Sequence, residues 1–146
     1  PQSRAGAGGA RSSVMSRLER RLLDDLRHEL MQREAALDRE VAADEVRAAG
    51  KHGGIDVFEA LARGEATAAD VQDASQLIAA WHRHEALRRV RGALIRMERG
   101  SYGRCIACGA HLPVEWLRAE PDAELCLICQ GRADARDDDS QHAHAS

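Results

Sequence analysis

Four cysteines in two closely spaced pairs constrain this 146-residue chain more than any other feature. Cys105 and Cys108 form one CxxC pair, Cys126 and Cys129 form the other, and seventeen residues separate the two pairs. Each pair can present two thiolates to one ion from a tight turn, and four thiolates complete the tetrahedral shell of a structural Zn²⁺. The spacing therefore predicts one structural zinc ion per chain.

Other uses of the four cysteines fit the sequence less well. Two disulfides are typical of small secreted proteins, and no export signal is visible here. A redox pair is expected beside a strand–helix unit, which is not predicted, and iron–sulfur clusters usually have other spacings. Four thiolates also leave no open position for catalysis on zinc. His111 lies between the pairs, and we interpret it as a bystander.

The composition favours solvated helices over a thick hydrophobic core. Aromatic residues make up 3% of the chain and charged residues 31%, with a net charge of −3. This balance argues against a general nucleic-acid binder, and no apolar run approaches the ~20 residues that a membrane span needs. Neither a glycine-rich phosphate loop nor a nucleophile with its base is visible. We expect a small, soluble cytoplasmic protein that is not an enzyme.

A long stretch without glycine or proline predicts the first helix, from Val14 to about Ala49. Its apolar residues recur every four or seven positions and form a narrow stripe on one face. The stripe consists of Val14, Leu18, Leu22, Leu23, Leu26, Leu30 and Leu37. A long helix with one narrow stripe needs a partner helix. Residues 1–13 and 137–146 lack such a pattern, and we predict that both are disordered.

A second long helix is predicted from about Thr67 to Arg99. Thr67 and Asp70 have the spacing of a capping box, and Gly100 ends the pattern. Between the two helices, Asp56 is predicted to cap a short turn. Two long helices joined by a short segment predict an antiparallel hairpin; the alternative is an ordinary three- or four-helix bundle.

The apolar positions of the second helix fall into two runs that are out of phase. The first run is Val71, Ala74, Ile78 and Trp81, and the second is Leu87, Val90, Leu94 and Met97. We predict a local distortion of the helix seam between the runs, from His82 to Ala86.

The segment that carries the cysteines, residues 100–136, has too few apolar residues to fold without a metal. We predict that a small core surrounds the metal, formed by Leu112, Val114, Trp116, Leu117, Leu125 and Ile128. The predicted fold is therefore mainly α. It consists of a two-helix coiled-coil hairpin over residues 14–99, with its tip near 50–73, and a small C-terminal four-cysteine zinc finger with a short C-terminal helix over residues 100–136.

Several short stretches of the sequence resemble one protein family. They are Met97-Glu98-Arg99-Gly100-Ser101-Tyr102-Gly103-Arg104-Cys105, Cys108-Gly109, Leu117-x-Ala119-x-Pro121 and Leu125-Cys126-x-x-Cys129. Together they resemble the DksA/TraR family of four-cysteine zinc-finger regulators over roughly Leu87 to Gln130, and the first helix matches only in architecture. The resemblance implies a transcription factor that binds the bacterial RNA polymerase core and inserts its helical arm into the secondary channel. It implies no sequence-specific DNA binding and no membrane.

The resemblance also implies that acidic residues at the tip of the arm act near the polymerase active centre. The tip candidates here are Asp70, Asp73, Ser75 and Glu65. Ser75 stands where the family often has alanine, and Glu65 takes the second acidic position in the ungapped register. The alternative is that Asp70 and Asp73 only stabilise the N-terminus of the helix through its dipole.

Some members of the family bind the alarmone ppGpp together with polymerase, through basic residues of the second helix and the finger. Arg89 matches one of these positions, whereas Glu120 and Gln130 stand where longer members carry basic residues. We therefore expect weak or absent synergy with ppGpp. Two other functions remain open, a zinc-stabilised coiled-coil adaptor that binds another protein and a thiol oxidoreductase.

Overall fold

The computed structural model describes residues 9–50 and 54–143, and the side chains of 19–50 and 57–143. The described chain forms five helices: α1 (Gly9–Ala49), α2 (Gly54–Ala62), α3 (Ala68–Arg99), α4 (Val114–Ala119) and α5 (Leu127–Ala143). Extended pairing within these ranges is limited to an isolated bridge between Arg104 and His111. None of these helices has the length and hydropathy that crossing a membrane requires.

Local signals set both ends of α3. The Thr67 hydroxyl accepts a hydrogen bond from the Asp70 N–H (3.2 Å), and the Asp70 carboxylate accepts one from the Thr67 N–H (2.8 Å). This reciprocal pair is the predicted capping box, and it satisfies two N–H groups that the first turn leaves open. At the other end, Gly100 adopts a left-handed φ of 76°, which glycine tolerates without a steric cost.

The two long helices α1 and α3 pack side by side in opposite directions, so the predicted antiparallel hairpin is confirmed. Leu30 of α1 and Val90 and Ala93 of α3 are fully buried between them. Ion pairs show the register, because Asp44 meets Arg83 whereas Asp38, further back on α1, meets Arg91.

The N-terminal part of α3 has a different partner helix from the rest of α3. If the register of the hairpin continues residue by residue, the last residue of α1 lies level with about Ile78. The earlier residues of α3 therefore pass beyond α1, and they contact α2 instead. Ala74 is buried in this part of α3, and Leu87 and Val90 are buried where α1 is the partner.

A local distortion of the seam was predicted at His82–Ala86, and α3 passes through this segment as one continuous helix. The phase of its apolar pattern changes because the helix changes partners, from α2 to α1. Between the two apolar runs, the seam carries an ion pair: Arg83 donates to Asp44 from Nε at 2.6 Å and from Nη2 at 2.8 Å. The interface between α1 and α3 therefore contains a polar layer between the two apolar runs.

The Asp44 side chain is buried, with 7% of its surface exposed, and Arg47 also contacts it at 3.0 Å. The hydrogen bond from Arg83 holds the pKa of the Asp44 carboxyl below its ordinary value. A carboxyl with a lowered pKa in the folded state stabilises the protein above its ordinary pKa, and this contribution is lost as the pH falls through the lowered value.

We predict that Asp44→Asn lowers the Tm at pH 7 by several degrees, because Arg83 loses its charged partner within the seam. The difference in Tm between wild type and variant should shrink as the pH falls below the lowered pKa of Asp44. The matched control is Asp38→Asn, since Asp38 pairs with Arg91 but is 61% exposed. Thermal melts followed by circular dichroism measure both, and equal melting of the two variants at pH 7 would contradict the prediction.

Three helix ends differ from their prediction. α1 begins at Gly9, so residues 9–13 are helical, whereas disorder was predicted for them. α5 continues to Ala143 through most of the segment predicted as a disordered tail, where the Ser140 hydroxyl donates to the Arg136 carbonyl one turn earlier (2.9 Å). Asp56 lies inside α2 rather than capping it. Residues 1–8 and 144–146 lie outside the described residues.

Candidate metal centre and the arm that it anchors

The four cysteines converge on one point. Their Sγ atoms all lie within 4.8 Å of one another, and the Sγ atoms of Cys108 and Cys126 are 3.8 Å apart. Cys105 is buried and Cys108 is exposed, so the cluster lies at the surface of the finger. His111 is not part of the cluster. Four sulfurs at this spacing suit the tetrahedral shell of Zn²⁺ and leave no position for a substrate.

Backbone geometry brings each pair of cysteines together. The first pair lies in a turn in which the Gly109 N–H donates to the Cys105 carbonyl (2.9 Å) and Gly109 takes a left-handed φ of 77°. The second pair stands at the start of α5, where the Cys129 N–H points at the Cys126 sulfur (3.5 Å). Both turns direct N–H groups towards sulfur, which stabilises thiolates.

The sulfurs are electrostatically unequal without a cation. A hydrogen bond from the Cys126 backbone is the main cause that lowers the pKa of Cys105 to about 6. A backbone hydrogen bond from Cys129 likewise lowers the pKa of Cys126. The Cys129 thiol donates to the Cys126 sulfur, which raises its own pKa to about 12. Adjacent thiolates repel one another, so a divalent cation is needed to hold all four sulfurs deprotonated.

The finger shares its hydrophobic core with the base of the hairpin. Leu26 of α1 is buried together with Cys105, Leu112 and Leu117 of the finger. Of the core predicted from sequence, Leu112 and Leu117 are buried, whereas Val114 and Ile128 are 44% and 69% exposed. Side chains from the hairpin take the place of the exposed ones, so the finger does not have a separate core.

Carboxylates of the finger also bind arginines of the hairpin. Asp122, which is 5% exposed, lies 3.2 Å from Arg33 Nη1 of α1 and 3.3 Å from Arg89 Nε of α3. Glu124 lies 3.2 Å from Arg88 Nη1. Neither carboxylate was predicted from the sequence, because neither belongs to a periodic pattern or a metal-ligand spacing.

Tyr102 links the finger to the hairpin. Its ring packs against both hydrophobic clusters, and its hydroxyl donates a hydrogen bond to the Pro121 carbonyl at 2.8 Å. Burial raises the pKa of Tyr102 to about 12. A tyrosine with a raised pKa contributes stability below its ordinary pKa of 10.0, and this contribution is lost as the pH rises through about 12.

We predict that Tyr102 ionises near pH 12 in the folded protein, about two units above a free tyrosine. Because Tyr102 is the only tyrosine of the chain, the ultraviolet absorbance of tyrosinate reports on this residue alone. Tyr102→Phe should lose about 1 kcal/mol of stability, since the Pro121 carbonyl loses its donor. Ionisation near pH 10 while the circular dichroism stays native would contradict this account.

The tip candidates lie at the opposite end of α3 from the cysteines. From Asp70 to Arg99 the helix rises roughly 44 Å. The backbone N–H of Thr67 donates to the Asp70 carboxylate, which lowers the pKa of Asp70. Asp73 is half-buried on the next turn, and the Ser75 hydroxyl donates to the Val71 carbonyl at 3.0 Å.

Glu65, the fourth candidate, is exposed in the loop before α3. All four candidates therefore lie in one short region at the end of the arm. Asp70 serves the helix cap in addition to any other role, so its position alone does not distinguish the two interpretations of the tip.

A polar cavity of about 490 Å³ lies between α3 and the finger. Its charged lining residues are Arg33, Arg88, Arg89, Glu85, Glu120, Asp122, Glu124 and Asp137. The three arginines are already paired with Asp122, Glu124 or Glu85. Five carboxylates against three guanidinium groups leave the cavity negative.

The observations define a class of protein: a two-helix arm anchored on a four-cysteine zinc finger. Residues 100–135 match the family model of the prokaryotic dksA/traR C4-type zinc finger, so the resemblance noted in the sequence is confirmed, and the finger holds one structural zinc ion. The fold is similar to the solved structure of the transcription factor DksA2 from Pseudomonas aeruginosa, with a TM-score of 0.53 and 23% identity. That similarity covers 80% of this chain and 85% of the other. No curated protein sequence matches the chain.

Proposed function

We propose that the protein is a transcription factor that binds the RNA polymerase core and acts through its secondary channel. The observation that carries this proposal is the combination of a DksA/TraR-type finger with an arm whose acidic end lies far from the zinc site. Two packed helices, each about 10–12 Å across, make a rod narrow enough to enter a channel. The finger remains outside as the base that positions the rod.

The distribution of charge on α3 supports an active tip. Between Thr67 and Ala80, the only charged residues are Asp70 and Asp73, and the first arginine of the helix is Arg83. Capping the helix requires one carboxylate, and Asp70 provides it. Asp73 is therefore in excess of what the cap needs. Carboxylates at the end of the arm can compete for Mg²⁺ or for basic groups near a polymerase active centre.

The zinc finger itself is unsuited to reading DNA. Its matched segment, residues 100–135, contains three arginines and five carboxylates. Because DNA binding rests on neutralising phosphates with cations, an acidic finger is expected to be repelled by the duplex. We therefore assign the finger to anchoring the arm and contacting protein.

The cavity between α3 and the finger is also unsuited to ppGpp. Arg89 lines it but pairs with Asp122 at 3.3 Å, and Glu120 and Gln130 supply no cation. A tetraphosphorylated nucleotide would need to displace existing ion pairs and to approach several carboxylates of the same sign of charge.

We predict that ppGpp changes neither polymerase binding nor the transcriptional effect of the wild-type protein. The double variant Glu120→Lys with Gln130→Lys adds two cations to the cavity wall and should gain a response to ppGpp. Transcription assays with and without ppGpp measure the difference. A clear wild-type response would contradict the account of the cavity.

The main alternative is a zinc-stabilised coiled-coil adaptor that binds another protein. Cross-linking separates the two functions: a photo-reactive residue at position 75 should link to the polymerase subunit that forms the active centre. The same residue at position 46, an exposed site on α1, serves as the control. An adaptor would give no link to polymerase from either position. A thiol oxidoreductase would instead need a free thiol, whereas bound zinc protects all four.

A further inference from the structure

A shallow groove of about 390 Å³ runs between α1 and α3 on one face of the hairpin, near the finger. Its floor is apolar, and two of its residues are strongly exposed for apolar side chains: Met31 at 54% and Ile95 at 46%. Leu94 completes the floor. Exposed apolar surface bordered by charges is typical of a protein–protein contact.

The borders of the groove carry charges of both signs in an alternating arrangement. At the end nearer the finger, Arg27 stands on the α1 side and Glu98 on the α3 side. At the other end the signs are reversed, with Glu34 on α1 and Arg91 on α3.

The two ends differ in how their charges are satisfied. Arg91 donates to Glu34 at 3.1 Å within the chain. Among the described residues, by contrast, the side chains of Arg27 and Glu98 have no hydrogen-bond or ion-pair partner. One positive charge, on Arg27, and one negative charge, on Glu98, are therefore unpaired at the same level of the hairpin.

We propose that this groove binds a second copy of the chain through a two-fold axis parallel to the hairpin. Such an axis places α1 of one copy over α3 of the other, so Met31 meets Ile95 of the second copy across an apolar centre. It also places each Arg27 opposite the Glu98 of the other copy, so two equivalent ion pairs form across the interface. Neighbouring helices of the two copies run in opposite directions, as in an antiparallel four-helix bundle.

The contact is small, so the association is weak and depends on concentration. The apolar floor spans only about two turns of each helix. The surface that it can bury is therefore well below the roughly 1,000 Å² that stable interfaces reach. We expect a reversible equilibrium between a 16.0 kDa monomer and a dimer of twice that mass. This inference concerns the side of the arm and does not depend on the proposed role of its tip.

Sedimentation velocity of the zinc-loaded full chain over a range of concentrations tests the proposal. The average mass of the wild type should rise towards that of a dimer. Arg27→Glu alone and Glu98→Arg alone should each remain monomeric, because like charges then face each other. The double variant Arg27→Glu with Glu98→Arg should dimerise again, and a mixture of the two single variants should form heterodimers.

Ile95→Glu should also abolish dimerisation, whereas Val46→Glu adds the same charge at an exposed site outside the groove and should leave it unchanged. Circular dichroism confirms that each variant folds. A wild type that stays monomeric at every concentration would overturn the proposal. So would single variants that still dimerise, or a double variant that does not regain dimerisation.

Discussion

Replacing Cys108 with serine should release the zinc ion and unfold the finger, since the three remaining sulfurs cannot close a tetrahedral shell. The effect should extend to the base of the hairpin, because Leu26 of α1 is buried against the finger. The upper part of the hairpin should stay folded, since Leu30 and Val90 are buried in a separate cluster. Elemental analysis should show zinc in the wild type and little or none in the variant.

Hydrogen exchange measures how far the unfolding extends. In Cys108→Ser, amides of the finger and of α1 around Leu26 should exchange much faster, while those around Val90 keep most of their protection. The matched control is Ile106→Ser, an exposed position between the two cysteines of the same turn. It should retain zinc and wild-type exchange. Unchanged exchange around Leu26 in Cys108→Ser would show that the finger and the hairpin fold independently, and it would contradict this prediction.

The double variant Asp70→Asn with Asp73→Asn should still bind core polymerase and lose its transcriptional effect. The substitutions nearly preserve shape and remove the charge with which the tip is proposed to act. Because the Asp70 carboxylate also accepts the Thr67 N–H, the variant should melt slightly earlier as well. Transcription at saturating protein separates the two consequences.

A single variant separates the proposed role of the carboxylates in transcription from their role in the helix cap. Asp73→Asn leaves the capping box intact, so it should reduce transcription while the stability that the cap contributes is kept. Glu45→Gln neutralises an exposed carboxylate on α1 and is the matched control. If the double variant melts earlier but keeps its full transcriptional effect, the carboxylates act only on the helix end.

Features that depend on neighbours in the sequence could be predicted. The zinc site follows from two CxxC pairs, since each pair is a local turn. The limits of α3 follow from a capping box at Thr67 and a left-handed glycine at Gly100. The hairpin follows from two long stripes separated by a short segment, because packing against each other is the simplest way for such helices to cover their apolar faces.

Features that depend on the tertiary contacts between helices could not be predicted. Val71, Ile78 and Trp81 repeat like core residues, but about half or more of each side chain is exposed, because α2 is short and α1 ends beside them. In the sequence, Asp44 resembles any surface carboxylate. Only the packing of α1 against α3 buries it opposite Arg83. The sequence predicted only a short C-terminal helix. The full length of α5 could not be predicted, because most of its residues are polar and none of them is buried.

Equilibrium binding of the zinc-loaded protein to bacterial RNA polymerase core tests the central proposal most directly. The account predicts a saturable complex with one copy of this chain per polymerase, which other proteins that enter the secondary channel displace. It also predicts that Asp70→Asn with Asp73→Asn binds as tightly as the wild type. Failure of the folded, zinc-loaded protein to bind core polymerase, or binding that occupation of the channel does not affect, would contradict the account.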